Sequence, residues 1–150
     1  MLSSGTPLDL AIMATQNAPA DLHVQQRFHA VLLRTTCFVP CLTPAEHDND
    51  LTPLRLYHND KAFFVAFDDP SKLAKWLGDA GDLKADISVK TLDVSDFIKA
   101  LGQESYLVLN PGTSTYFEIN PDHVAYLKKT IETVEHELDV HKTTLEAPWS

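Results

Sequence analysis

The stretch Leu107–Pro121, Leu-Val-Leu-Asn-Pro-Gly-Thr-Ser-Thr-Tyr-Phe-Glu-Ile-Asn-Pro, leaves this chain few ways to fold. Leu107, Val108 and Leu109 form an apolar run that suits a buried strand. Asn110-Pro111-Gly112 stops it, because Pro fixes φ and lacks an N–H while Gly accepts φ > 0. Tyr116-Phe117-Glu118-Ile119 returns to extended character through aromatic and β-branched side chains. Asn120-Pro121 then opens a helix: Asn caps, Pro fits the first helical position, and Asp122 adds charge that the helix dipole favours. The segment contains no catalytic constellation. Two readings stand for its turn. One is a structural corner that holds the last helix against a sheet. The other is a ligand loop in which Asn110, Gly112, Thr113 and Ser114 present hydroxyl and N–H groups to an anion.

Elements upstream can be placed around this segment. Thr6-Pro7-Leu8-Asp9 predicts a helix start with Thr6 as cap, and Leu8, Ala11, Ile12 and Thr15 share one face. Pro19 is expected to restart a helix carrying Val24, Phe28, Val31 and Leu32, ended by Thr35-Thr36. Thr36–Val39 reads as a strand ended by Pro40, and residues 43–53 as a polar loop. Leu54–His58 and Lys61–Phe67 predict a hairpin about Asn59-Asp60. In that register Leu56 faces Phe63 and Leu54 faces Val65 on the expected core side, with Tyr57 and Phe64 on the other. Asp69-Pro70 starts a short helix with Leu73, Trp76 and Leu77, ended by Gly78. Asp86–Lys90 alternates as a half-buried strand, and Asp93 caps a helix bearing Phe97, Ile98 and Leu101, closed by Gly102.

The final helix, expected over about residues 121–142, carries Val124, Leu127, Ile131, Val134 and Leu138 at 3-4-3-4 spacing. Such a stripe either packs on the sheet or serves a second helix. Ile131, Val134 and Leu138 are therefore candidate partner-binding residues, together with Tyr57 and Phe64 on the second hairpin face.

A length of 150 residues suits one domain. Net charge is −9, from 21 acids against 12 bases, which argues against nucleic acid and permits a basic protein partner. No Lys or Arg precedes Arg27, so no secretory signal is expected, and no apolar run approaches the ~18 residues of a membrane span. Cys37 and Cys41, four apart on one strand, would lie roughly 13 Å apart, too far for a disulfide. Two reduced thiols in a cytoplasmic protein are expected.

Searches for chemistry return little. Asp48-Asn49-Asp50 fails the EF-hand pattern, because Pro53 stands where the loop needs Gly. Gly112–Tyr116 lacks the second Gly of a nucleophile elbow. His136 and His141 are five apart, where a helical metal site wants four. His23, His29, His47, His58 and His123 are scattered and read as isolated surface or satisfied side chains. No enzyme activity, cofactor or metal is expected.

Taken together, several blocks match a known pattern. They are Arg27-Phe28…Leu32-Leu33, a strand ending in Val39-Pro40, the strand Phe63–Phe67 with the Pro70–Trp76 helix, and Leu109-Asn110-Pro111-Gly112 leading to Pro121. Over about residues 20–128 the chain resembles the N-terminal domain of the SseB family. The long helix beyond Leu127 departs from that pattern, and the second domain of longer members has no counterpart here. The resemblance implies a bacterial α+β domain without an established active site.

The expectation is one α+β domain over residues 1–150. It has a mixed or antiparallel sheet of about five strands, packed helices and a long C-terminal helix. The expected role is protein interaction, as an adaptor or regulator in a secretion or stress context, with another protein or a second copy as partner. An immunity-type protein against a basic toxin and a small-ligand or anion sensor at Asn110–Thr115 are the alternatives.

Overall fold

Two helices open the chain, α1 (Pro7–Asn17) and α2 (Leu22–Arg34). The computed structural model describes residues 5–42, 52–80 and 87–146, with only the backbone for Ala80 and residues 138–146. The capping box forms as predicted: the Asp9 N–H donates to the Thr6 hydroxyl and the Thr6 N–H to the Asp9 carboxylate. Leu8, Ala11, Ile12 and Thr15 are buried along one face of α1. The second helix begins later than Pro19 suggests. Asp21 caps it, accepting from the His23 and Val24 N–H groups, so two of the orphan donors of the first turn are satisfied there.

Seven strands follow among the described residues: β1 (Thr36–Leu42), β2 (Thr52–Pro53), β3 (Leu56–His58), β4 (Lys61–Ala66), β5 (Ile87–Asp93), β6 (Tyr106–Leu109) and β7 (Phe117–Ile119). Helix α3 (Pro70–Ala80) lies between β4 and β5, α4 (Val94–Ala100) between β5 and β6, and α5 (Pro121–Glu146) follows β7. The fold is α+β, as expected. The strands divide into two sheets, ordered β2-β1-β5 and β3-β4-β6-β7. Phe38 and Phe67 exchange backbone hydrogen bonds of 2.7 and 3.0 Å, which joins the two sheets.

Proline does not end β1. The Pro40 C=O accepts the Leu54 N–H at 2.9 Å. In an antiparallel strand a residue's N–H and C=O point the same way, so the donor Pro lacks is lost toward the two-residue β2. The opposite edge of β1 stays free to pair with β5 along its full length, from Thr36↔Asp93 to Leu42↔Ile87. Helix α3 continues through Gly78 to Ala80, and α4 ends at Leu101 as its cap and not at Gly102.

The hairpin turn is the predicted one. Asn59 and Asp60 both take positive φ, 52° and 64°, and Leu56 pairs with Phe63. Leu54 does not face Val65; its N–H is committed to Pro40. The assignment of faces is also reversed. Phe64, Ala66, Leu107 and Leu109 point into the main core with α1, α2, α4 and α5. Val65, Phe67 and Val108 point the other way, into a smaller cluster under α3 with Leu73 and Leu77. A sheet covered on both faces reads as continuous apolar strands, which is why alternation alone could not rank its sides.

Cys37 and Cys41 are buried on β1 and are free thiols. Burial, reinforced by Asp93, pushes the Cys37 thiol up to about 12, so it is protonated and a poor nucleophile. Aerobically purified protein should therefore take up no alkylating reagent while folded and two adducts after unfolding, read by intact mass. A single oxidised cystine form would contradict this.

Candidate functional site

The Asn110–Thr115 turn is built into the core of the molecule. Asn110 is fully buried at φ 50°, and its side-chain oxygen accepts the Asp68 N–H at 3.1 Å. Its own N–H donates to the Ala66 carbonyl at 2.9 Å, so the turn fastens the end of β4. Gly112 sits at φ 81°, a conformation that suits glycine, with Trp76 close by. The Thr113 N–H and hydroxyl both donate to the Asn110 carbonyl. The Thr113 groups are thus spent within the turn, while the buried Asn110 Nδ2 has no hydrogen-bond partner among the described residues.

Thr115 extends the connection. Its hydroxyl donates to Asp9 at 2.5 Å, across 106 residues of sequence. The same carboxylate receives Lys72 Nζ at 2.7 Å on each oxygen. Lys72 also donates to Asp68 at 2.6 Å, and Asp68 in turn accepts the Thr6 hydroxyl. Burial alone would raise the Asp9 carboxyl. Hydrogen bonds from Lys72, Thr115 and Thr6, with the Lys72 charge, outweigh it and hold the carboxyl below its ordinary value. This cluster knits α1, α3 and the β6–β7 turn together, which is the structural-corner reading.

Two other places offer open surface. The first is the outer face of the four-stranded sheet, where α3 covers only part of the strands. A groove of about 380 Å³ remains, lined by Leu56, Phe63, Trp76, Tyr106, Pro111 and Tyr116 among others. Lys61 lies over the Tyr106 ring at 5.3 Å. The adjoining hollow beyond Lys61 and Tyr106 carries Asp60, Glu104 and Asp122, and Glu118 lines the groove itself. An apolar groove results, with Lys61 and Glu118 at its edge and a hollow beside it that carries three acids with Arg55 and Lys61.

The second lies between α2 and α5. His29 and His123 meet Nε2 to Nε2 at 2.9 Å, with ring centroids 5.0 Å apart. One imidazole donates an N–H to the other. Phe28, Phe117 and Tyr126 surround them. The pair borders a cavity of about 420 Å³ that Thr15, Gln16, Pro19 and Gln25 also line. Burial lowers both imidazoles, and His123 is lowered further by its neighbour His29. His123 also stands in the first turn of α5, capped through Asn120, where a cation is disfavoured.

The residues singled out for partner binding separate in space. Tyr57 and Val134 are exposed, at 68% and 46%. Phe64 is buried edge-on against Phe97, and Ile131 is 5% exposed in the main core, so neither is available to a partner. The side chain of Leu138 lies outside the described residues. Among the loop candidates Asn110 is buried, Thr113 is half-buried, and Gly112 and Ser114 are exposed. The sequence reading missed the groove, because its floor comes from three strands, β3, β4 and β6. It also missed the histidine pair, because 94 residues separate the two rings and nothing in their local sequence marks them.

The chain matches the family described as SseB protein N-terminal domain over residues 8–126, and it belongs to that family. The match begins earlier than the resemblance at about residue 20 indicated and takes in α1 with Asp9. No curated protein matches the chain. Among the described residues no helix is long and apolar enough to cross a membrane.

Two outcomes follow from these contacts. Asn110→Ala should cost about 1–3 kcal/mol in denaturant melts, since it strands the Asp68 N–H and puts a Cβ-bearing residue without Asn's local hydrogen bonds at positive φ. Asn110→Gly should lose only the first part; equal losses in the two variants would show that the backbone conformation does not matter. The histidines give a pH dependence. Their folded values lie below the ordinary 6.5, so the unfolded chain binds protons first as pH falls. Stability is full above about 6.5 and declines below it until the folded pair also protonates. The melting temperature should drop from pH 7.5 to 5.5, by less in His29→Leu/His123→Leu; an identical drop would place the titration elsewhere.

Proposed function

We propose that the chain is a non-enzymatic bacterial protein-interaction module, an adaptor or regulator acting in the cytoplasm, in a secretion- or stress-associated setting. The observation that carries this reading is the apolar, aromatic-lined groove on the outer sheet face. Its floor presents Leu56, Phe63 and Tyr106 and its walls Trp76, Pro111 and Tyr116. Aromatic anchors in a concave apolar site are what hot spots of protein interfaces use. The net charge of −9, with Glu118 at the groove and Asp60, Glu104 and Asp122 in the hollow beside it, favours a basic segment bearing an apolar anchor, through steering and charge complementarity. The same charge pattern supports the immunity-type reading, in which the basic partner is a toxin. Both readings place the partner on this face, in place of the buried Phe64 and Ile131.

The test uses cross-linked capture from cells with the wild-type chain, Tyr116→Asp and Asp60→Lys/Glu118→Lys. The expected outcome is a basic protein held by wild type and lost or weakened about tenfold by both variants, with unchanged melting curves. Retention of the same partner by both variants would move the interface off this face.

A further inference from the structure

The histidine pair between α2 and α5 has features that a hydrogen bond alone does not require. Its two Nε2 atoms come from different helices and meet at 2.9 Å at the wall of an accessible cavity. Two nitrogens bound cis to one ion at ~2.0–2.1 Å would stand about 2.9 Å apart, and a tetrahedral ion would ask for only ~0.4 Å more. We infer that His29 and His123 form a bidentate site for a divalent transition ion that prefers imidazole nitrogen. The cavity leaves room for the water that completes its coordination.

Several observations support the assignment. Both rings sit in surroundings that favour the neutral imidazole, which is the form that ligates. In the metal-free pair one Nε2 carries the shared proton. Binding shifts that proton to the ring's Nδ1, so both Nε2 lone pairs become free with no net change of charge on the protein. The rings now meet nearly head-on, so ion binding would turn each lone pair by roughly 35–45° from the N–N line, through the broad χ2 torsion of His and a shift of the rings. Gln25 and Gln16 border the same cavity. Each anchors its amide N–H on a backbone carbonyl, of Pro19 and Ser114, leaving the side-chain oxygen as a further polar group of the wall.

Among the described residues no cluster of three or more His, Cys, Asp or Glu could hold a metal ion. An ion there would hold two protein nitrogens and take its remaining ligands from water, unlike a closed structural zinc centre. Nitrogen donors exclude Mg²⁺ and Ca²⁺ as fitting ions and rank Cu²⁺ above Ni²⁺ and Zn²⁺. An ion held there ties the first turn of α5 to the middle of α2, beside the Phe28–Phe117 contact of the main core.

The experiment is calorimetric titration of tag-free full-length protein with Cu²⁺, Ni²⁺, Zn²⁺ and Mg²⁺ at pH 7.5, with melting curves at saturation. One equivalent of Cu²⁺, Ni²⁺ or Zn²⁺ should bind and raise the melting temperature, while Mg²⁺ does neither. His29→Phe and His123→Phe should each weaken binding by about tenfold or more, since even an outer-shell loss costs that much. His58→Phe, which alters a histidine far from the pair, should leave it unchanged. If a phenylalanine variant is poorly folded, Zn²⁺-dependent shifts of the His29 and His123 ring nitrogens in wild-type NMR spectra decide the matter. Binding that survives both variants, or ring nitrogens that do not respond to Zn²⁺, would overturn the site.

Discussion

The buried carboxylate of Asp9 is the interaction on which the arrangement of layers depends. Helix α1 packs on the main core side of the four-stranded sheet, and α3 packs on the other side. Few groups can reach both. Asp9 does so at the open end of the sheet, where Lys72 of α3 and Thr115 of the β6–β7 turn converge on it. Lys72 is 19% exposed and Asp68 1%, so this ion cluster is largely withdrawn from water. Removing one partner from such a cluster leaves an uncompensated charge, which is far more costly than never having built it. The cluster thus fixes how the two helical layers sit relative to one another more than it adds to net stability.

That geometry also explains why the outer face stays partly open. Lys72 pins the first turn of α3 near Asp68, so the helix lies over Val65, Phe67 and Val108. Phe63 and Tyr106 lie further along β4 and β6, and Leu56 on β3; Leu56 and Phe63 are only partly buried against the cluster under α3, and Trp76 forms the boundary with its ring 5.7 Å from Phe67. A groove beside a helix held at one end by a buried ion cluster keeps its shape without a ligand. Preformed walls lower the entropic cost of binding, which suits an interaction site.

Local chemistry was legible where one short segment contains both partners of a contact. Thr6 and Asp9 announce their capping box, Asn59-Asp60 their turn, and Asn120 its cap, because each satisfies its own neighbours' backbone groups. What could not be read is the second use of the same atoms. The Asp9 carboxylate that caps α1 also receives Thr115, and nothing near either residue shows that. Pro40 looked like a strand end because its missing N–H is a fixed cost; the side on which that cost falls depends on β2, a remote two-residue strand. The histidine pair is the extreme case, with no local signature at all.

The stripe on α5 shows the limit of periodicity as a guide to function. Val124, Leu127 and Ile131 continue one apolar line, and all three are in the main core. What holds Ile131 inward is the neighbouring helix. Lys128 donates to the Leu101 carbonyl and so satisfies the end of α4, while Lys99 pairs with Glu135 at 2.7 Å. Those two contacts lay α5 along α4, and burying an Ile there contributes about 1.5–3 kcal/mol. The exposed Lys99–Glu135 pair adds little energy but sets the azimuth of the helix. At Val134, one turn of the stripe later, the side chain is 46% exposed. The same spacing therefore serves the core up to Ile131 and the surface at Val134, although Glu135 still reaches Lys99 of α4. Periodicity marks which residues share a face; the packing of the neighbouring elements decides how far along that face the core extends.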